Sequence, residues 1–133
     1  NYCMENTSSS NHKYMEDKTH KTYDLEDRTF QFARDVKDFV DRLPKKVTAF
    51  EIGKQLVRSA GSVGANYIEE NESLRKKDFL MRVKICKKEA KETCYWLRLT
   101  SPSQSCQQKQ SDLINESEEL MKIFGSIIRN STV

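Results

Sequence analysis

Histidine is scarce in this chain: there are two, His12 and His20, both within the first twenty residues. The remainder therefore lacks the commonest general base at neutral pH and the commonest neutral metal ligand. A di-metal bundle built on Glu-x-x-His pairs is excluded by the same absence. No window approaches the ~20 apolar residues needed to cross a bilayer, and the polar N-terminus lacks the apolar centre of a secretory signal. A soluble cytoplasmic protein is expected. The four cysteines, Cys3, Cys86, Cys94 and Cys106, form no C-x-x-C pair and have no histidine placed to complete a zinc site. Cys86 and Cys94 stand about 12 Å apart along one expected helix, too far to bridge, so reduced, structural thiols are expected. Strand signals are missing too, since no run of alternating β-branched residues is bounded by turn residues. Proline occurs only at positions 44 and 102, where it interrupts an otherwise continuous helical pattern.

What is present is a repeated seven-residue stripe. With 133 residues, the chain fits one domain able to bury a core without disulfides or metal. Residues 1–23 are polar and are expected to form a disordered tail, because they cannot bury enough apolar surface to offset the entropy of ordering. Asn1, Tyr2 and Cys3 precede Met4 and a second methionine stands at 15, so where the native chain starts is left open. The bundle domain is assigned to residues 24–130. Leu25, Thr29, Phe32, Val36, Phe39 and Leu43 keep one side of a first helix, which Pro44 ends. Thr48 and Glu51 have the spacing of a capping box that would open a second. This helix carries Ala49, Gly53, Leu56, Ala60, Val63 and Tyr67 on one stripe and frays near residues 71–73. A third helix begins at Arg75 or Lys76 with Phe79, Val83, Cys86, Ala90, Thr93 and Leu97 inward, widened by Leu80, Tyr95, Trp96 and Leu99. Residues 101–110 read as a polar connection before a fourth helix on Leu113, Ser117, Leu120, Phe124 and Ile127, ending near Asn130. The pattern predicts an all-α, antiparallel up-down four-helix bundle with left-handed packing at about 20° crossing angles.

The second helix is the most constrained. Six of the seven residues from Ser59 to Ala65 are Ser, Ala or Gly, and each helical glycine costs about 1 kcal/mol relative to alanine. Close approach of a neighbouring backbone is expected at Gly53, Gly61 and Gly64. Arg58, Ser62, Asn66 and Glu69 or Glu70 share one flank of this helix, and with Glu89 and Glu92 of the next they are expected to form a buried polar network fixing register or a subunit interface, the alternative being a ligand site. No catalytic residue is assigned. Ser73 and Lys76 match S-x-x-K without its companion motifs. Gly61 to Gly64 match a GXXG clamp, but inside a helix. Glu89 and Glu92 lack the pocket of a glycosidase.

Charge is uneven along the chain. Between Arg75 and Leu99 nine basic residues face three acids, a local excess of six, whereas the first helix is acidic. Lys77, Lys84, Lys88, Lys91 and Arg98 repeat at spacings of 7, 4, 3 and 7 residues on one helical side, broadened by Arg75, Lys76 and Lys87. Such a line suits a phosphate backbone. Its bland alternative is a solvated charged face.

The run from Leu56 to Ser73, followed by Lys77 to Leu80 and Lys87 to Leu99, resembles the four-helix bundle proteins of the 23S rRNA intervening-sequence family. Its most specific piece is R-S-A-x-S-V-x-A-N-x-x-E, here Arg58, Ser59, Ala60, Ser62, Val63, Ala65, Asn66 and Glu69. The resemblance covers roughly residues 24–130. It implies a ring-shaped homopentamer with a positively charged surface, and a relationship to accessory proteins of diversity-generating retroelements, which bind nucleic acid and partner a reverse transcriptase. It implies no enzyme activity and no cofactor. One departure stands out: Glu69, Glu70 and Glu72 crowd a helix end where many members carry Glu-Gly, which disfavours that end as a nucleic-acid surface. The expected function is a non-enzymatic homo-oligomeric bundle that binds RNA or DNA through the basic face of its third helix. The alternative is a protein-partner scaffold or reverse-transcriptase accessory subunit that binds no nucleic acid by itself.

Overall fold

A computed structural model describes residues 21–71 and 76–131, with side chains from 25 to 68 and from 76 to 131. Four helices make up nearly all of it: α1 (Lys21–Asp41), α2 (Val47–Asn71), α3 (Lys76–Leu99) and α4 (Gln107–Ser131), the last preceded by a one-turn 3-10 helix over Gln104–Cys106. Among the described residues there is no strand, and no helix is long and apolar enough to cross a membrane. In the described part α1 packs on α2 and α4, and α3 packs between α2 and α4.

The apolar stripes fall where their periodicity puts them. Phe32, Val36 and Phe39 from α1, Leu56, Ala60 and Val63 from α2, Val83, Cys86, Ala90 and Leu97 from α3, and Leu113, Leu120 and Phe124 from α4 close one core. Burying one such large side chain stabilises by about 1.5–3 kcal/mol. Cys86, Cys94 and Cys106 are buried and form no disulfide with one another. The buried Cys86 thiol donates to the Val63 carbonyl at 3.4 Å. Cys3 lies outside the described residues.

Two of the three glycines in α2 meet a neighbour. A Cβ on Gly53 would stand 2.9 Å from Val40 Cγ1, and one on Gly64 3.2 Å from Thr29 Oγ1, so both mark a close approach of α1. Gly61 differs: nothing lies within 4 Å of its Cβ position. The close approach expected there does not occur among the described residues.

Helix boundaries depart from expectation in three places. α1 begins at Lys21 rather than 24, because extending an established helix adds one hydrogen bond per residue fixed. α2 begins at Val47, since the Phe50 amide already donates to the Lys46 carbonyl at 3.1 Å. Thr48 thus sits inside the first turn rather than at its cap, and Glu51 pairs outward with Lys54 at 3.4 Å. The connection before α4 is shorter than 101–110, because two contacts distant in sequence recruit its second half. The Gln110 amide donates to the carbonyls of Leu97 and Thr100 at 3.0 and 3.1 Å, tying the start of α4 to the end of α3, where the Leu97 carbonyl also accepts from the Thr100 amide and hydroxyl. Lys109, only 6% exposed, pairs with Asp35 of α1 at 3.7 Å. Burial pushes the Asp35 carboxyl up from its ordinary range, against the Gln31 hydrogen bond and the Lys109 charge, which pull it down.

Candidate nucleic-acid interface

The polar cluster forms along the seam between α2 and α3. Arg58 bonds Glu92 through Nη2 and reaches Glu89 through Nη1 at 3.4 Å. The Ser62 hydroxyl donates to Glu89 Oε2 at 3.1 Å. The Asn66 amide turns back to the Ser62 carbonyl at 2.8 Å and accepts from Arg82 at 3.0 Å. Beneath these, the Thr93 hydroxyl donates to the Glu89 carbonyl at 2.8 Å and shares a 2.7 Å hydroxyl–hydroxyl bond with Ser59, both residues being fully buried.

Arg58, Ser62, Asn66 and Glu92 are thus brought together as expected, but the network is not buried. Arg58 keeps 48% of its side chain exposed, its guanidinium reaching Glu89 and Glu92 from the solvent edge of the seam. Glu69 is on α2, but its side chain lies outside the described residues. Two members were not anticipated: Arg82, and Trp96, whose indole N–H donates to Glu92 at 3.1 Å. That bond is the largest influence holding the Glu92 carboxyl below its ordinary value, and the bond from Arg58 adds to it. The same contact with Glu92 raises the Arg58 guanidinium further above its usual range. Glu89 Oε1 is buried with no hydrogen-bond partner in the protomer.

The opposite flank of α3 is different. Lys77, Lys84, Lys88, Lys91 and Arg98 are all exposed, and none of the five forms an ion pair with another of the described residues. Only Lys88 stands near enough to Glu92 to favour its ionised form. By the helical rise the row runs about 31 Å from Lys77 to Arg98. Lys87 is exposed but leans towards α4, its Nζ 3.6 Å from where a Cβ on Gly125 would lie. It therefore edges the row rather than joining it. Arg75 lies outside the described residues.

Tyr95 and Leu99 correct the expected inner stripe. Both face outward, 58% and 48% exposed, because Trp96 and Leu97 already fill the space against α2 and the core. Tyr95 lies four residues after Lys91 and three before Arg98, inside the basic row. Its ring meets that of Trp96 edge-on, centroids 5.1 Å apart at 79°. Sequence periodicity counted it as apolar; its position among the lysines was the available signal.

A second feature is a groove of about 540 Å³ where α1 turns into α2. Its apolar floor includes Leu43, Ala49 and Phe50, and Lys45, Lys46, Lys54 and Arg58 edge it. No group of three or more His, Cys, Asp or Glu side chains able to hold a metal ion occurs among the described residues.

Comparison with known proteins places this geometry in context. The family model for the 23S rRNA-intervening sequence protein matches residues 21–126. A crystal structure of a protein of unknown function from the S23 ribosomal protein family of Bacteroides thetaiotaomicron is 32% identical, with a TM-score of 0.69, covering 78% of this chain and 97% of that one. No curated protein matches the sequence.

Proposed function

This chain belongs to the 23S rRNA-intervening sequence protein family, and on that premise we propose that it is a non-enzymatic, homo-oligomeric bundle that binds RNA or DNA through the outer flank of α3. The observation that carries the proposal is the row of five exposed cations without ion-pair partners among the described residues. Cations already paired to carboxylates release few counterions on meeting a polyanion, whereas unpaired ones contribute fully. The antiparallel, left-handed packing belongs to the same reading. The antiparallel part is supported between α1 and α4 by cross-helix pairs whose numbers run in opposite senses, Arg28 with Glu116 and Asp35 with Lys109.

Assembly is proposed to use the outer side of α2, as a ring of five acting in the cytoplasm. Gly61 is open there, with Phe50, Val57 and Ile68 exposed at 61%, 48% and 41% along the same helix. An unoccupied helical glycine beside exposed apolar side chains suits the approach of a second copy. Repetition of one basic flank around a ring would multiply weak phosphate contacts.

The test is binding of labelled RNA and DNA across a salt series by the wild-type chain and by Lys84→Glu/Lys88→Glu/Lys91→Glu, with solution mass measured in parallel. Wild-type binding should weaken steeply with salt, and the triple variant should lose most of it. Binding unchanged in the variant, or absent in the wild type at low salt, overturns the proposal; a monomeric mass overturns the ring. A second reading, a protein-partner scaffold or reverse-transcriptase accessory subunit, is favoured by the basic-rimmed apolar groove at the α1–α2 turn. Nuclease-resistant recovery of such a partner, lost when Phe50 is changed to Asp, would support it.

A further inference from the structure

The basic row contains an aromatic ring that charge neutralisation does not require. Tyr95 is 58% exposed, and it follows Lys88 by seven residues and Lys91 by four, and precedes Arg98 by three. Cations therefore flank it along the helix on both sides, at roughly 4–10 Å of rise. A tyrosine this exposed leaves apolar ring surface in water, at a hydrophobic cost a surface lysine would not incur.

The ring is also held in place. Trp96 meets it edge-on at 5.1 Å, and Trp96 is itself fixed by its indole bond to Glu92, which Arg58 clamps from α2. The α2–α3 seam thus supports a ring that presents outward from the cationic flank. Leu99, one turn further on and 48% exposed, extends apolar surface beside it. The nearest carboxylates on α3, Glu89 and Glu92, are bonded to Arg58 at the seam, and of the two Glu92 still feels the Lys88 charge.

A duplex offers its phosphates to such a surface but keeps its bases stacked inside, so the ring would gain nothing from it. A single strand offers both phosphates to the row and unstacked base faces to the ring. We infer that the outer flank of α3 is a site for single-stranded nucleic acid, in which Tyr95 stacks on an unpaired base while Lys88, Lys91 and Arg98 hold the flanking phosphates. This deepens the nucleic-acid reading above and rests on it. Tyr95 is the specificity-determining residue of the site, and the lysines set its salt dependence.

The experiment compares three labelled probes of equal length on the full chain at low salt: a uridine oligomer, an abasic oligomer that keeps the backbone charge, and an RNA duplex. In Tyr95→Ala, affinity for the uridine oligomer should fall about 5- to 100-fold, the range that loss of one base–aromatic stack supplies. Abasic and duplex binding and the salt slope should be unchanged, and Tyr95→Phe should bind as the wild type does. If Tyr95→Ala binds the uridine oligomer as tightly as wild type, stacking is refuted while the electrostatic reading stands. If it weakens all three probes equally, Tyr95 acts only through helix structure, and the inference fails. If the wild type binds none of them, both readings fall and the flank is a protein-docking surface.

Discussion

The two flanks of α3 have similar residue types and opposite arrangements. On the side towards α2, the polar groups are engaged across the seam: Arg58 with Glu92 and Glu89, Ser62 with Glu89, Arg82 with Asn66, Thr93 with Ser59. On the other side, five cations and a tyrosine face water, the cations without ion-pair partners among the described residues. The local excess of six positive charges is therefore not spread around the helix. Two of its three acids are drawn into the seam, and Asp78 sits in the first turn, where a negative charge suits the helix dipole. Segregation rather than net charge makes the outer flank a candidate for polyanion binding.

The largest expected break of this contrast is at the floor of the seam. Thr93→Val should cost about 1–3 kcal/mol in urea unfolding, because it strands the buried Ser59 hydroxyl. The double change Ser59→Ala/Thr93→Val should recover much of that loss, by removing both partners. Charge reversal at Lys84, Lys88 and Lys91 should shift stability by no more than about 0.5 kcal/mol per site. A comparable loss from the outer-flank changes would erase the distinction between a structural and a free face.

Smaller effects are expected from the glycines of α2, and with opposite signs. Gly53→Ala should destabilise by about 1 kcal/mol or more, since Val40 is β-branched and has little room to turn away from a Cβ 2.9 Å distant. Gly61→Ala should stabilise an isolated protomer by about 1 kcal/mol through helix propensity alone. Where a second copy seats on Gly61, Gly61→Leu lowers the solution mass with the protomer still helical by circular dichroism.

The smallest effect is pH-dependent. Glu92 has a folded pKa below its ordinary 4.5, so its contribution to stability is present above that value and is lost as pH falls through the depressed one. The melting-temperature gap between wild type and Glu92→Gln should accordingly be widest above pH 4.5 and close below it. The chain's single tryptophan, Trp96, should report the same acid transition in its emission, and Glu92→Gln should abolish it.

Much of this architecture was legible in the sequence because a seven-residue apolar repeat leaves little freedom in which side faces in. Phe32, Leu56, Val83 and Leu120 are buried where the repeat puts them. Arg58, Ser62 and Asn66 were legible as a flank for the same reason. What escaped depends on contacts remote in sequence. Lys109 and Gln110 look like loop residues until Asp35 and the end of α3 are brought beside them. Tyr95 counts as apolar by composition, and only the fit of Trp96 against α2 decides that the neighbouring ring turns outward. Thr48 and Glu51 had capping-box spacing, yet α2 starts one residue before Thr48, so the spacing described the first turn and not its cap.

The bonds from Gln110 to the carbonyls of Leu97 and Thr100 have a consequence for the order of folding. They span only 13 and 10 residues, a short loop whose closure costs little entropy. Contacts of low sequence separation form early, so the α3–α4 hairpin is expected to close early, as is the α1–α2 hairpin, in which Gly53 and Val40 meet across the same 13 residues; the pairs of α1 with α4, some 70–90 residues apart, form last. A glutamine in what reads as a linker thus helps one of two hairpins to close before they join.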